Sequence, residues 1–444
     1  MPPAADPDDP FPAAASLEPP VGAGEFAALM APLGPWPPFG TAFPLPVAVS
    51  GGADSTALVL LAADWAAARG AVAHALVVDH RLRPDSAAEA SRTVRRLRSH
   101  GIPSRLLVLS GLEPGPGVGE RARHARHAAL DVACRELGAL ELLLGHHRRD
   151  QAETVAMRQR AGSGPDGLSG MARIAETAGG VRRLRPLLGL DPARLRATLR
   201  LRAVDWEEDP GNRDERFERA RLRRSLGPAA IDRFCAAADR HGAERECREA
   251  AAAGWLARHA VLRPEGFALL RPSPPDDPPP PGALDRLVRC VSGAPYPTAA
   301  GAAVRLFAAP SGATLGGVVV APAGRLGPGR IVAREFAAVA PPSPSPDPGS
   351  HPPPLWDRRF AVSVPFGAGP LVVGALGDDR PPGVGSRTHR LPAIVLRTLP
   401  AFRRNGLLHA VPHLGWQRDR EAPPPSASFR PAVAASGGGV FRIC

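Results

Sequence analysis

At 444 residues the chain exceeds the roughly 100 to 200 residues of one ordinary domain, and its 44% hydrophobic content is enough for real cores, which excludes global disorder. Fifty-five basic against 43 acidic residues leave +12, which points toward a polyanionic partner such as nucleic acid; an arginine-rich genome gives the same excess without selection for binding. There is no lysine at all, so a phosphate-loop lysine, a Schiff-base lysine and pyridoxal attachment are excluded.

Residues 1–43 are rich in proline and alanine and read as a lead-in with one short helix near Phe26 to Met30. Asp6, Asp8 and Asp9 among prolines do not resemble a secretory signal, and no run approaches the roughly 18 apolar residues of a membrane span. Cys134, Cys235, Cys247, Cys290 and Cys444 form no Cys-x-x-Cys pair, which fits a reducing compartment. The expectation is a cytoplasmic protein with no membrane partner.

From Pro46 the pattern changes. Val47 to Val49 predicts a short strand, and after a glycine-rich turn Thr56 to Arg69 places Leu58, Leu61 and Trp65 at helical spacing up to Gly70. Val72 to Val78 predicts a second strand, and Ser86 with Glu89 predicts a capping box for a helix ending at Gly101. A strand over Arg105 to Leu109, a helix over Glu120 to Leu137 and a strand over Leu140 to Leu144 follow. Strands alternating with helices imply an α/β fold over residues 44–226, a parallel sheet with helices on both faces.

Beyond Arg185 the chain turns helical and basic, through Pro192 to Arg202 and Phe217 to Arg258, so residues 227–295 are expected to be a helical middle region. Proline tracts at Pro272 to Pro281 and Pro341 to Pro354 read as linkers or surface loops. Short β-like runs at Gly316 to Val320, Ile331 to Ala333, Ala361 to Val364 and Leu371 to Val373 predict a small mixed α/β domain over 296–444.

The chemistry centres on Ser50-Gly51-Gly52-Ala53-Asp54-Ser55, between the first strand and the first helix. Glycines let the backbone approach phosphate, and a helix N-terminus offers free N–H groups with partial positive charge. A carboxylate repels phosphate, so Asp54 implies either a Mg²⁺ ion between them or a hydrogen bond that shapes the loop. The hydroxyls of Ser50 and Ser55 are candidate donors to phosphate oxygens. Asp79 ends the second strand, at the sheet edge where ligands gather, though a turn cap is an equally ordinary role for it. His147, Asp150 and Glu153 stand near the fourth strand's end; Asp150 and Glu153, three apart, share a helix face and are candidates for metal, for a substrate ammonium or for plain complement to the helix dipole. Arg123 and Arg126, and the run Arg219, Arg221, Arg223 and Arg224, are candidates for phosphate or RNA backbone, or are solvated basic faces.

The hexapeptide resembles the pyrophosphate loop of the ATP-pyrophosphatase superfamily. Val78-Asp79-His80-Arg81-Leu82-Arg83, Ala122-Arg123-His124-Ala125-Arg126-His127 and Gly145-His146-His147-Arg148-Arg149-Asp150-Gln151-Ala152-Glu153-Thr154 narrow the resemblance to the tRNA(Ile)-lysidine synthetase family. Gly162 to Leu168 with Met171, and Trp206-Glu207-Glu208-Asp209-Pro210 through Asn212, Asp214, Phe217, Arg219, Arg221 and Arg223, add to it; together the matches span residues 45–226. Weaker echoes of the family's C-terminal domain lie in Ala313 to Gly317, Trp356-Asp357-Arg358-Arg359-Phe360 and Leu399 to Trp416. Taken by itself, Trp356-Asp357-Arg358 reads as packing plus a surface ion pair. Three positions depart from the family pattern: Arg149 for aspartate, His127 for tyrosine and Ala220 for asparagine.

The resemblance implies an adenine nucleotide alpha hydrolase-like fold, and a ligase forming a carbon–nitrogen bond. ATP with Mg²⁺ would adenylate the wobble cytidine (position 34) of the isoleucine tRNA with a CAU anticodon, and free L-lysine would then displace AMP to leave lysidine, which shifts codon reading from AUG to AUA. It implies Asp54, His147 and Asp150 as catalytic, residues 50–55 and Asp79 at the nucleotide, and Asp54 and Asp150 at the metal. Arg123, Arg126, Glu153, Arg219, Arg221 and Arg223 would face substrate or tRNA. A tRNA thiolase and a catalytically silent tRNA-binding protein are the alternatives, and a homodimer is one option for assembly.

Overall fold

In the computed structural model, which describes residues 18–112, 115, 117–177, 179–207, 218–350, 353–383, 391–435 and 439–440, except for the side chains of 219, 220, 439 and 440, the apolar run before Ser50 is strand β1 (Pro44–Val49). Leu45, Val47, Ala48 and Val49 are all buried, as a strand covered on both faces requires. Helix α1 (Ala23–Met30) precedes it, buried through Phe26 and Met30. In chain order there follow α2 (Ala53–Ala67), β2 (Val72–Asp79), α3 (Ser86–Ser99), β3 (Ser104–Val108), α4 (Val118–Glu136), β4 (Glu141–Leu144), α5 (Arg148–Arg160), the short α6 (Pro165–Leu168), β5 (Ile174–Glu176), β6 (Arg182–Leu184), α7 (Pro192–Leu201), α8 (Glu218–Ser225) and α9 (Pro228–His259). The chain divides into two compact units, residues 1–246 with 439–444 and residues 247–438, and the boundary falls inside α9.

The described residues of the first unit build a seven-stranded sheet in the order 439–440, β5, β6, β4, β1, β2, β3. The run from β6 to β3 is parallel; β5 and Gly439–Val440 add an antiparallel edge. Leu58, Leu61 and Trp65 of α2 pack with Val94 and Leu97 of α3 and Leu195 and Leu199 of α7 on one face, while Leu130, Ala133 and Cys134 of α4 cover the other. The expected α/β architecture is present.

Local expectations fail where another partner competes. Ser86 and Glu89 form no capping box: the Ser86 hydroxyl donates to Asp79 at 2.8 Å and Glu89 pairs with Arg83 at 2.9 Å. The expected helix through Phe217 to Arg258 breaks at Leu226 and Gly227 into α8 and α9. The middle region is not all helical either, since Ala260–Arg263 and Phe267–Leu270 open a five-stranded antiparallel sheet completed by Arg330–Arg334, Val318–Pro322 and Ala313–Leu315.

That sheet packs on the helix Ala283–Ser292, whose Leu284, Leu287, Val288 and Val291 recur at helical spacing. A second five-stranded sheet runs from Ser343–Pro344 to Trp416–Gln417; Pro344 lies on its edge strand and Pro400 is the first residue of its central one, two places where a missing N–H is tolerated. In a three-stranded sheet, Asp357 and Arg358 turn the hairpin between Leu355–Trp356 and Phe360–Ser363 at positive φ. The ion pair at this motif is buried rather than superficial. Asp357 lies between Arg359, at 2.7 Å and without exposed surface, and Arg334, at 3.0 Å. Burial lowers the Arg359 pKa to about 10, with Asp357 opposing the shift. Among the described residues no helix is long and apolar enough to cross a membrane.

Candidate active site

β1 continues to β2 on one side and is flanked by β4 on the other, so the chain reverses its direction across the sheet between β1 and β4. An open α/β sheet binds ligands in the crevice at the carboxyl ends of such a pair. Residues 50–52 leave β1 there and residues 145–147 leave β4. The two turns touch: a Cβ on Gly145 would stand 3.2 Å from the Ser55 backbone, which only glycine tolerates without a shift.

The loop is tied internally. Gly51 takes φ +89°, and its carbonyl accepts from Thr56 Oγ1 at 3.2 Å and from the Glu207 N–H at 2.9 Å. The Ser50 N–H donates to Ser55 Oγ, which donates to the Gly52 carbonyl, each at 3.1 Å. The Ser55 hydroxyl, expected to face phosphate, is therefore used within the loop; Ser50 is exposed beside it, with its Oγ 3.1 Å from that of Ser55. Ala53 and Asp54 open α2, where N–H groups have no intrahelical acceptor.

Asp54 and Asp150 converge on one imidazole. His147, almost fully buried, caps α5: its Nδ1 accepts from the Asp150 N–H at 3.4 Å, and its own N–H donates to Asp150 Oδ2 at 3.1 Å. Its Nε2 lies 3.3 Å from Asp54 Oδ2 and 3.5 Å from Asp150 Oδ2. Burial opposes charge on the ring while Asp150 and then Asp54 favour it by more, so the pKa lies above the ordinary histidine value. Protonation would give up the long cap bond at Nδ1, so the two demands oppose each other. Among the described residues no group donates to the buried Asp54 Oδ1, and an orphaned carboxylate oxygen at an anion cradle fits a cation such as Mg²⁺. Among the described residues no three His, Cys, Asp or Glu side chains group to hold a metal by themselves. This suits Mg²⁺, which takes one or two carboxylates and completes its shell with phosphates and water.

Glu153, expected to meet substrate, is instead wholly buried against Arg223, whose Nε stands 3.1 Å away. Arg223 also reaches Asp150 at 3.5 Å, so this arginine faces the acidic pair rather than solvent. The reason is electrostatic, since a buried carboxylate needs a partner. Arg149 Nε lies 4.0 Å from Glu153, and its Nη2 donates to the carbonyls of Arg223 and Leu226, closing the C-terminal end of α8. Arg221 is exposed on α8. The Arg219 side chain and residues 208–217 lie outside the described residues, as does the motif stretch from Glu208 to Phe217.

Asp79 is buried and engaged in its own turn, accepting from the Arg81 N–H at 2.9 Å as well as from Ser86. Beside it a cavity of about 430 Å³ is lined by His80, Arg83, Arg123, Arg126, His127 and His146, among others. Burial, then Arg183 and Arg123, push the His127 pKa down to about 4, so the ring is neutral near pH 7. Burial and Arg126 likewise lower His80. Arg126 is not on a solvated face: its Nε and the Nδ1 atoms of His80 and His127 are buried with no hydrogen-bond partner among the described residues. Arg123 remains exposed at the rim. The result is a cationic pocket of small-ligand size with polar atoms to satisfy.

A family model described as a PP-loop domain matches residues 36–230, which implies ATP binding. The chain is 43% identical over 222 residues to a tRNA(Ile)-lysidine synthase of Hyphomonas neptunium, covering 47% of this chain and 60% of that protein, so it spans less than two thirds of this relative's length. It is 34% identical over 409 residues to the tRNA(Ile)-lysidine synthase of Mesorhizobium japonicum, covering 87% of this chain and 88% of the relative. The chain belongs to the tRNA(Ile)-lysidine synthase family. Among solved structures it bears a likeness to a U34-tRNA thiolase of Methanococcus maripaludis, with a TM-score of 0.42 and 14% identity, covering 50% of this chain and 77% of that one.

Like His127 in the cavity, Arg149 now has a visible place. Its side chain lies against the end of α8. Arg149→Ala is expected to lower stability by about 1 to 2 kcal/mol through lost bonds to buried carbonyls. Arg149→Asp should cost more, because it sets a third carboxylate beside Glu153 and Asp150. Thermal melts of both variants check the order, and an Arg149→Asp protein as stable as the parent would refute it.

Sequence reasoning missed three features of the site. Glu207 was named only as part of a motif, yet its carboxylate bonds Arg96 at 2.7 Å and Arg92 at 3.1 Å, bonds that lower its pKa against the opposing effect of burial. The close approach at Gly145 went unremarked, and His80 and His127 were named, at a strand end and as a departure, without the cavity they line. A glycine directly after a strand was the available signal for the first of these; no local pattern marks the other.

Proposed function

We propose that the chain is a tRNA(Ile)-lysidine synthase that adenylates the wobble cytidine of the CAU-anticodon isoleucine tRNA and then joins L-lysine to it, acting in the cytoplasm. The observation that carries this reading is the convergence of Asp54, His147 and Asp150 on the loop at the switch point, in a chain aligned with 88% of a relative of that name. In the first step the cytidine O2 attacks the α-phosphorus of ATP, and the bond to the β-phosphate bridging oxygen breaks to release pyrophosphate. In the second the lysine side-chain amine attacks C2 and loses a proton, and the C2–O bond breaks to release AMP.

Residues 50–55 cradle the departing phosphates through backbone N–H groups. Asp54 and Asp150 are the carboxylates on which Mg²⁺ would rest, and when bound it would neutralise charge developing on pyrophosphate. His147 bridges both carboxylates and fixes their orientation. The cationic cavity at His80, Arg123 and Arg126 takes a nucleotide portion of ATP or of the tRNA, with the target base out of its stack.

The test is incubation with ATP, labelled lysine and isoleucine tRNA transcripts carrying CAU or a changed anticodon, followed by nucleoside analysis. Label in the nucleoside of the CAU transcript alone is expected; tRNA binding without AMP release would overturn the proposal. For tRNA contact, Arg221→Gln is expected to lower the slope of log affinity against log salt by about one, whereas Arg223→Gln should act on stability instead. An unchanged slope for Arg221→Gln would remove that residue from the RNA surface.

A further inference from the structure

The peptide that follows Gly51 is held from behind. Its carbonyl receives two hydrogen bonds, from Thr56 and from the Glu207 N–H. In a trans peptide the C=O and N–H point in opposite directions. Fixing the Gly51 carbonyl toward Thr56 and Glu207 therefore turns the Gly52 N–H the other way. The side behind the loop is closed to a ligand: a Cβ on Gly51 would stand 2.5 Å from Thr93 Oγ1 and 3.3 Å from Glu207 Cγ. Phosphate must come from the opposite side, the side that the Gly52 N–H faces.

Besides this bond to the loop, Glu207 is held from outside it. Its anchor is α3, through the Arg96 and Arg92 guanidiniums one turn apart, which grip the carboxylate at 2.7 and 3.1 Å. We propose that Glu207, anchored by Arg92 and Arg96, is a positioning residue that keeps the Gly51–Gly52 peptide turned so that its N–H meets the pyrophosphate portion of ATP. The proposal rests on the reading of residues 50–55 as the pyrophosphate cradle, and brings Glu207 into the nucleotide site through the loop that it holds.

The test is calorimetric titration of the full chain, with Mg²⁺, by α,β-methylene-ATP, by inorganic pyrophosphate and by AMP. A parent that binds neither of the first two would overturn the cradle reading itself. If the parent binds both, Glu207→Ala is expected to weaken each by about tenfold or more while AMP affinity stays within about twofold, because only the phosphate donors are misaligned. Glu207→Gln, which keeps an acceptor for one arginine, should recover most of the loss. Thr56→Val removes the second donor to the same carbonyl; it should repeat the selective loss, and serves if Glu207→Ala does not fold. Unchanged pyrophosphate affinity in a folded variant, or an equal loss for AMP, would overturn the proposal while leaving the cradle in place.

Discussion

Asp54→Ala is expected to end ATP consumption while the protein stays folded. Asp54 is the second residue of α2, its side chain is one third exposed, and among the described residues its ion-pair partner is His147, so removing it costs roughly the 0.3 to 1 kcal/mol of an acid in a first helical turn. Its chemical loss is larger. Among the described residues no group satisfies the buried Oδ1, and if it holds a Mg²⁺ ion its loss would leave the charge on departing pyrophosphate without that partner, a drop of about 10² to 10³ or more in rate. Asp54→Asn separates two roles. If Asp54 only orients His147, the amide oxygen suffices and turnover survives; if it holds a cation, asparagine should be nearly as inactive as alanine. Pyrophosphate release with tRNA present is the measurement, and a parental rate in Asp54→Ala would sink the pyrophosphate-loop assignment.

Glu153→Ala is expected to be the most destabilising single change in the first unit. The side chain has no exposed surface and balances Arg223 at 3.1 Å with Arg149 nearby. Deleting the buried partner removes the shorter ion pair of Arg223 and leaves it the longer one to Asp150 at 3.5 Å, a loss of about 3 kcal/mol. For a unit of this size that corresponds to a fall of roughly 6 to 12 °C in melting temperature. Glu153→Gln keeps the volume but not the charge and should recover only part. A variant that melts with the parent would show that Arg223 finds solvent at no cost, and would end the account of this network given above.

The architecture was legible because burial imposes patterns. Val47 to Val49 and Val72 to Val78 read as strands since both faces of the sheet are covered, and the loop read as an anion cradle because glycine, strand and helix came in that order. Strand and helix ends shifted by a few residues, as with α2, which starts at Ala53 rather than Thr56. Partners distant in sequence were not legible. Nothing near Glu153 shows that Arg223, seventy residues later, will satisfy it, and the arginine run of α8 has the same local appearance whether its members face RNA or carboxylate. Ser86 illustrates the converse: a correct local signature lost to Asp79, a neighbour placed by the fold.

The closure of α8 by Arg149 bears on how such a site changes over generations. Among the described ion pairs, Glu153 faces both Arg149 and Arg223, and Arg223 also faces Asp150. Exchanging Arg149 for aspartate in one step removes a guanidinium and sets a third carboxylate beside Glu153 and Asp150, so that path is expected to pass through a less stable intermediate. A viable route alters Glu153 or the end of α8 first. The order of substitution is thus constrained by charge balance, and lineages that carry aspartate at 149 are expected to differ from this chain at 153, 223 or 226 as well, a pattern that pairwise comparison of relatives will detect or refute.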